Sequence, residues 1–419
     1  MARSRRRFLA LPMLVALLLT ALPAASVGAA EGISVRFATF NASLNRNAPG
    51  RALADLSAPG NAQADAVAEI IQRIRPDVLL INEFDYEPDN ALADAFQENY
   101  LSLPHNGAAA IDYPFAFVAP SNTGIHSGLD FDNNGIINPT INVPFNTNPT
   151  YGNDAYGFGD FPGQFGMAVF SKYPIDYDAI RTFQLFLWKD MPGAMLPDNP
   201  ATPAPADWYS PAELDVFRLS SKSHWDVPIV IGSETVHFLV SHPTPPVFDG
   251  PEDRNGTRNF DEIRFWADYL LPGARSSYIY DDDGATGGLP PGASFVIAGD
   301  QNSDPLDGDS IPGSIQQLID HPLVNDKFTP ESLGAIEAAA LQGRANLTHR
   351  SDPRYDTADF ADGAPGNLRA DYVLPRKNLK ILDGAVFWPV QASPLFRLTG
   401  VFPFPSSDHR AVWIDVIVH

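Results

Sequence analysis

Ile297-Ala298-Gly299-Asp300-Gln301-Asn302-Ser303-Asp304 runs an apolar strand into a turn that presents a carboxylate and, two positions on, an amide. An ionised aspartate there can orient and deprotonate a water molecule, and an asparagine at that spacing can hydrogen-bond the group under attack. Alone, such residues make an ordinary Asx turn at a strand end. What sets this chain apart is repetition. Ile33 to Phe40 alternates as a strand and ends at Asn41. Asp77 to Ile81 is a buried strand delivering Asn82 and Glu83, Val236 to Ser241 leads into His242, and Ser294 to Gly299 leads into Asp300. Strands of one sheet can bring such ends together, so Asn41, Glu83, His242 and Asp300 are expected around one pocket.

Two further segments add chemistry. Ser406-Ser407-Asp408-His409-Arg410-Ala411-Val412 sets a carboxylate beside an imidazole just before the last strand, Ala411 to Val418. The plain alternative is a surface turn with a solvated histidine. Arg369-Ala370-Asp371-Tyr372-Val373-Leu374 places an acid in an otherwise apolar strand. A buried carboxylate must be paired, and His409 is the expected partner, because such a pair fixes tautomer and orientation. Gly166 to Phe170 is a further strand, and Ala64 to Arg75 spaces Val67, Ile70, Ile71 and Ile74 as a helix that Pro76 stops.

Seven blocks in order along the chain resemble the endonuclease/exonuclease/phosphatase superfamily, the fold of DNase I: Thr39-Phe40-Asn41, Ile81-Asn82-Glu83, Gly166 to Lys172, Val240-Ser241-His242, Ala298 to Asn302, Arg369 to Tyr372 and Ser407-Asp408-His409. The mixture of strands and helices by itself indicates an α+β or layered sandwich. The resemblance implies an α+β fold in four layers, α/β/β/α. It also implies a metal-dependent phosphoric ester hydrolase. Glu83 would be the main Mg²⁺ or Mn²⁺ ligand, with Asn41 and Asp408 assisting, since hard oxygen donors suit these ions. Asp300 would activate water, Asn302 would hold the phosphate, and His409, paired to Asp371, and His242 would stabilise charge on the phosphoryl oxygens. Two departures stand out. Gln301 replaces the phenylalanine common at the central turn, and the glutamate that partners the first histidine in DNase I has no evident counterpart for His242.

The first thirty residues read as a signal peptide. Arg3, Arg5, Arg6 and Arg7 precede an apolar run from Phe8 to Thr20, and small residues follow to Ala30. Ser4-Arg5-Arg6-Arg7-Phe8-Leu9 resembles a twin-arginine signal, the alternative being an ordinary Sec signal that happens to be rich in arginine. Bacterial export to the periplasm, cell surface or medium is therefore expected, with 31–419 as one domain carrying insertions near 86–163, 190–212 and 304–367. Removing the four arginines moves the formal charge from −22 to about −26. That argues against a protein that coats nucleic acid through basic contacts, but not against an enzyme that meets phosphate through bound cations. The absence of cysteine excludes disulfides, thiolate ligands and a thiol nucleophile.

Four weaker features remain. Arg254, Arg258 and Arg264 follow His242 and could clamp a phosphate or merely solvate a helix. Asp130-Phe131-Asp132-Asn133-Asn134-Gly135 opens like a calcium loop, with Asp130, Asp132 and Asn134 as ligands, but Ile141 stands where the closing acid of an EF-hand belongs, and a plain Asx-rich turn is the equal alternative. Asp281, Asp282 and Asp283 read as a solvated loop, and Phe183 to Trp188 as an exposed apolar hairpin or a core strand. The leading expectation is a monomeric phosphodiesterase acting on nucleic acid or a small diester. The alternatives are a phosphomonoesterase or a phospholipid or inositol-phosphate headgroup enzyme on the same scaffold, and a non-catalytic, calcium-stabilised binding protein.

Overall fold

The computed structural model describes residues 32–419; the signal-peptide segment lies outside the described residues. Strands β1 (Ile33–Asn41), β2 (Val78–Asn82), β3 (Phe115–Phe117) and β4 (Met167–Ser171) join two C-terminal strands in one sheet. β5 (Arg181–Thr182), β6 (His224–Ile231), β7 (Glu234–Ser241) and β8 (Ser294–Asp300) belong to a second sheet. After the short pair β9 (Ala358–Asp359) and β10 (Asn367–Leu368), β11 (Asp371–Pro375) joins the second sheet, and β12 (Lys380–Val386) and β13 (Val412–Val418) close the first. The orders are β12-β13-β1-β2-β4-β3 and β11-β8-β7-β6-β5.

Alternation along each strand builds the layers. In β2, Val78 and Leu80 face the second sheet, where they meet a core that includes Val227, Phe238, Val240, Val296 and Ala298. Leu79 and Ile81 point the other way, onto helix α1 (Arg51–Leu56), helix α2 (Ala62–Ile74) and helix α3 (Ala91–Phe96). In β8, Phe295 and Ile297 pack outward against Ile263 and Trp266 of the long helix Arg254–Tyr269. Two helical layers thus flank two sheets packed face to face, the expected α/β/β/α sandwich.

Of the strands longer than three residues, β6 and β12 escaped the sequence reading, each for a physical reason. β6 carries Pro228 at its centre, which argues against a central strand. The structure tolerates it because the position that lacks an N–H faces away from β7, toward the 174–176 segment, where the Pro228 carbonyl accepts the Asp176 N–H at 3.0 Å and no ladder bond to β7 is lost. β12 is largely exposed, contains Gly384 and is bulged between Ile381 and Asp383, which leaves little apolar pattern to read. The long helix begins at Arg254, whereas the apolar spacing suggested only Asp261 to Leu270, because its first turns bury polar side chains. The segment expected as a hairpin or core strand is core: Phe183, Phe186 and Trp188 are buried.

Candidate active site

Register places the predicted residues at one end of the sandwich. In the parallel pair β1–β2, Asn41 lies opposite Asn82, with Glu83 next. In the antiparallel pair β8–β11, Asp300 lies opposite Asp371. His242 follows β7, the parallel neighbour of β8, and Asp408 and His409 precede β13, which pairs with β1. The two sheets are tied here by Asn82, whose Oδ1 accepts the Asp300 N–H at 3.2 Å and the Thr39 hydroxyl at 3.3 Å.

The side chains converge on Asp300. Its Oδ2 accepts an Asn41 amide N–H at 3.0 Å, and His242 Nε2 and His409 Nε2 lie 3.4 Å and 3.6 Å from the same oxygen. Its Oδ1 accepts the Asn302 backbone N–H at 2.8 Å. Asn41 Nδ2 also donates to Glu83 Oε1 at 3.0 Å. Asn41 therefore orients two carboxylates through its N–H₂ end, while its carbonyl oxygen faces the Ser43 N–H at 3.3 Å. The turns that present these groups are left-handed, with φ of +49° at Ser43, +56° at Glu83 and +50° at Asn302. Such backbone is costly for non-glycine residues and gathers at functional sites.

His409 and Asp371 are paired as expected: Nδ1 donates to Asp371 Oδ2 at 2.8 Å. Thr357 donates its hydroxyl to that same oxygen at 2.8 Å and takes the Asp371 N–H. Thr357 lies in the region set aside as a loop insertion, so sequence gave no signal for it. Burial opposes a charged His409, but Asp371, Asp300 and Asp408 together raise its pKa well above that of a free histidine. His242 goes the other way. Burial comes first, and the charges of Lys222 and His409 add to it, holding the ring neutral well below the usual range. Its Nδ1 is buried with no hydrogen-bond partner among the described residues, so the missing partner on that side stays missing. Asn302 spends one amide N–H on the Pro243 carbonyl at 3.1 Å, leaving the other for a ligand.

Burial pushes the carboxyl groups of both Glu83 and Asp300 upward. Around Glu83 the charge of Asp408 adds to this, while the Asn41 N–H and the charges of His409 and Lys222 oppose it. Asp408 itself receives only long hydroxyl contacts at 3.4 Å from Ser43 and Ser407. Four acids thus crowd one site in which Lys222 and His409 are the nearby cations, a balance that favours a divalent ion. Glu83 and Asp408 supply hard oxygens for it. Asp300, Asp371 and His409 also offer ligand atoms within 4.8 Å of one another, a group that could hold a metal. With its pKa raised by the neighbouring carboxylates, His409 carries a proton on both ring nitrogens and offers no lone pair, which leaves the Glu83 side as the better fit.

Lys222 escaped the sequence reading. It sits just before β6, only 7% exposed, and its pKa is lowered by burial against the pull of Glu262, Asp300 and Glu83. Glu262, on the long helix, accepts the Ser221 N–H and the Thr244 N–H, both at 2.6 Å, and so clasps the backbone beside Lys222 and beyond His242. Gln301, the departure at the central turn, points away from the site and donates to Ser241 Oγ at 3.3 Å. The three arginines do not reach the site. Arg258 is buried on the carbonyls of Leu219, Tyr156 and Arg218, Arg264 holds Asp268 and the Pro192 and Gly193 carbonyls, and Arg254 pairs with Glu252. Asp281 and Asp282 are not a solvated loop. Asp281 pairs with Arg181 at 2.6 Å, and Asp282 accepts from Thr182, Gln184 and Leu185.

Solved structures similar to the chain include an endonuclease/exonuclease/phosphatase from Beutenbergia cavernae, 16% identical, with 92% of this chain and 72% of that one covered and a TM-score of 0.46. Sphingomyelinase C from Streptomyces griseocarneus is 15% identical, with coverages of 91% and 99% and a TM-score of 0.43. A beta toxin variant from Staphylococcus aureus with bound magnesium ions is 14% identical, with coverages of 91% and 99% and a TM-score of 0.42. No curated protein sequence matches the chain. The model of the endonuclease/exonuclease/phosphatase family matches residues 38–409, from β1 through His409, and the chain belongs to that family.

Proposed function

We propose that this chain is an exported, divalent-metal-dependent phosphodiesterase. The observation that carries the proposal is the convergence of Asn41, His242 and His409 on one oxygen of Asp300, beside the carboxylate of Glu83. Glu83 and Asp408 would hold Mg²⁺ or Mn²⁺. The bound ion supplies Lewis-acid polarisation of the phosphoryl group and a template for attack.

The chain's own residues supply the rest. Asp300 Oδ2 takes the proton of the attacking water. Its carboxyl, raised by burial, is a stronger base than a solvated aspartate. As the water oxygen bonds to phosphorus the bond to the leaving alkoxide breaks, and that oxygen takes its proton from solvent, while His409, kept cationic by Asp371, donates a hydrogen bond from Nε2 to a phosphoryl oxygen. The free N–H of Asn302 and the ammonium of Lys222 face the same developing charge. Neutral His242 acts as a hydrogen-bonding wall and not as a proton source. Asn41 fixes the angle between Glu83 and Asp300.

One observation favours a diester with an apolar portion, such as a lipid headgroup, over a nucleic-acid polymer. Phe248, on the loop after His242, is 87% exposed, and Phe402, on the loop before Asp408, is 83% exposed. Both are apolar tips on loops leading to or from the site, in a chain of net charge −22. Among the described residues, no helix is long and apolar enough to cross a membrane.

Hydrolysis of bis-p-nitrophenyl phosphate by EDTA-stripped protein, then with added Mg²⁺ or Mn²⁺, tests the proposal. Turnover that needs the ion and disappears in Asp300→Ala and Glu83→Gln supports it. Turnover that survives EDTA, or none on any ester in a panel of DNA, RNA, sphingomyelin, inositol phosphates and monoesters, overturns it.

A further inference from the structure

We propose that Asp130, Asp132 and Asp154 form a calcium site, remote in sequence from the catalytic carboxylates, that fixes the 118–165 segment against the backbone carrying Lys222. One carboxylate oxygen from each residue lies within 4.8 Å of the others. Asp130 and Asp132 come from the loop that opens like an EF-hand. There the Asn134 N–H reaches Asp130 Oδ1 at 3.0 Å and Asp132 Oδ1 at 3.2 Å, and the Gly135 N–H reaches Asp130 Oδ2 at 2.8 Å. Asn134, expected as a ligand, instead donates to Asp132 through its amide and takes the Ile136 N–H on its carbonyl.

The missing closing acid arrives from elsewhere in the chain. Asp154 is 1% exposed. Its Oδ1 accepts the Phe131 N–H at 2.9 Å, between the two loop aspartates, while Oδ2 is buried with no hydrogen-bond partner. An unpartnered carboxylate oxygen in dry surroundings, beside two further carboxylates, is costly unless a cation lies among them.

The neighbouring imidazole sharpens the choice of ion. His126 Nε2 lies 3.9 Å from Asp154 Oδ2, but its Nδ1 accepts the Gly128 N–H at 2.9 Å. Nε2 therefore carries the ring hydrogen and offers no lone pair. With only oxygen donors, on a loop rather than a rigid cage, the site suits Ca²⁺ better than Zn²⁺ or Mg²⁺.

The site has a mechanical consequence. Three residues beyond Asp154, Gly157 presses on Ser221 so closely that a Cβ there would sit 1.7 Å from the Ser221 carbonyl oxygen. The Gly157 N–H bonds the Asn122 carbonyl at 3.1 Å, and the Asn122 N–H bonds the Lys222 carbonyl at 2.8 Å. Arg258 holds the Tyr156 carbonyl between them. A cation on Asp154 thus anchors the chain that braces Lys222.

The test uses Tb³⁺ as a calcium mimic, because Trp208 donates to the Phe131 carbonyl at 3.1 Å and can sensitise a lanthanide bound there. It is run on the full chain carrying Glu83→Gln, so that the catalytic site does not report. Tryptophan-sensitised emission should saturate below about 1 mM Tb³⁺ and be displaced by Ca²⁺ but not by equal Mg²⁺. Asp154→Asn, and separately the more exposed Asp132→Asn, should weaken binding by more than about tenfold. Ca²⁺ should raise the melting temperature of the Glu83→Gln protein and lose that effect in Asp132→Asn. No sensitised emission, or binding unchanged in both aspartate variants, overturns the proposal. Failure of phosphoester turnover leaves these readouts untouched.

Discussion

His409 and Asp371 are joined by a 2.8 Å hydrogen bond from Nδ1 to Oδ2, with the other ring nitrogen 3.6 Å from Asp300. The pair holds the imidazole in one orientation, with a positive charge aimed at the reacting region. Asp371→Asn keeps the volume and an acceptor but removes the charge. His409 then loses the largest influence that raises its pKa, so it deprotonates at lower pH. The alkaline limb of the kcat profile should move toward acid, with kcat at pH 8 down by about 10²- to 10⁴-fold. The melting temperature should change little. An alkaline limb that stays in place would remove His409 from the chemistry.

Lys222 gives the second prediction. Its ammonium is buried against Asp300, Glu83 and Glu262, so it adds fixed positive charge where phosphate would sit. Lys222→Met should lower kcat/KM by about 10²-fold, the usual effect of losing one preorganised donor. Lys222→Arg should recover only part of this, because a planar fork does not fit a point-charge site. Equal activity in all three proteins, measured on a small diester, would make Lys222 a structural counter-ion to Glu262.

How much of this could be read in advance depends on where each group gets its direction. Asn41, Glu83, His242 and Asp300 stand at the ends of apolar runs, and a strand of period two announces its own end. Asp371 was legible as an acid in an apolar strand, and its partner followed from the need for compensation. Lys222 precedes a strand disguised by Pro228, and Glu262 looks like any acid on a helix until the fold points it at Ser221 and Thr244. Asp154 and Thr357 lie in Asn- and Gly-rich stretches whose course is set by tertiary contacts, so no local pattern exists to read.

Asp356 provides a stability prediction outside the site. It is 1% exposed, its Oδ1 has no partner, and burial together with Asp304, Asp307 and Asp352 pushes its pKa to about 9. Below pH 4 the carboxyl is neutral in folded and unfolded chains alike. As pH rises from about 4 to about 9, the unfolded chain ionises while the folded one stays protonated, and stability falls. Asp356→Asn is neutral throughout, so it should stabilise the protein by about 1–3 kcal/mol at pH 8. Its advantage should vanish near pH 4. Urea midpoints at the two pH values check this, and a gain independent of pH would mean that charge is not the cause.

Gly299 separates two reasons for conserving space at the catalytic turn. Its φ is +144°, and a Cβ there would lie 2.0 Å from the Ser241 carbonyl oxygen, on the strand that delivers His242. Gly292, in the turn just before β8, has a φ of +91° with nothing within 4 Å of such a Cβ. Gly292→Ala should therefore meet only backbone strain, about 1 kcal/mol, with activity intact. Gly299→Ala must also push β7 and β8 apart, moving Asp300 relative to His242, and should cost more than about 2 kcal/mol. The decisive measurement is kcat per folded molecule at a temperature where both variants are native. It should stay at the parent value in Gly292→Ala and fall at least about tenfold in Gly299→Ala, because displacements near 1 Å at reacting groups are that costly. Should the two variants lose stability equally and keep full turnover, the close approach of these two strands would have no part in placing Asp300.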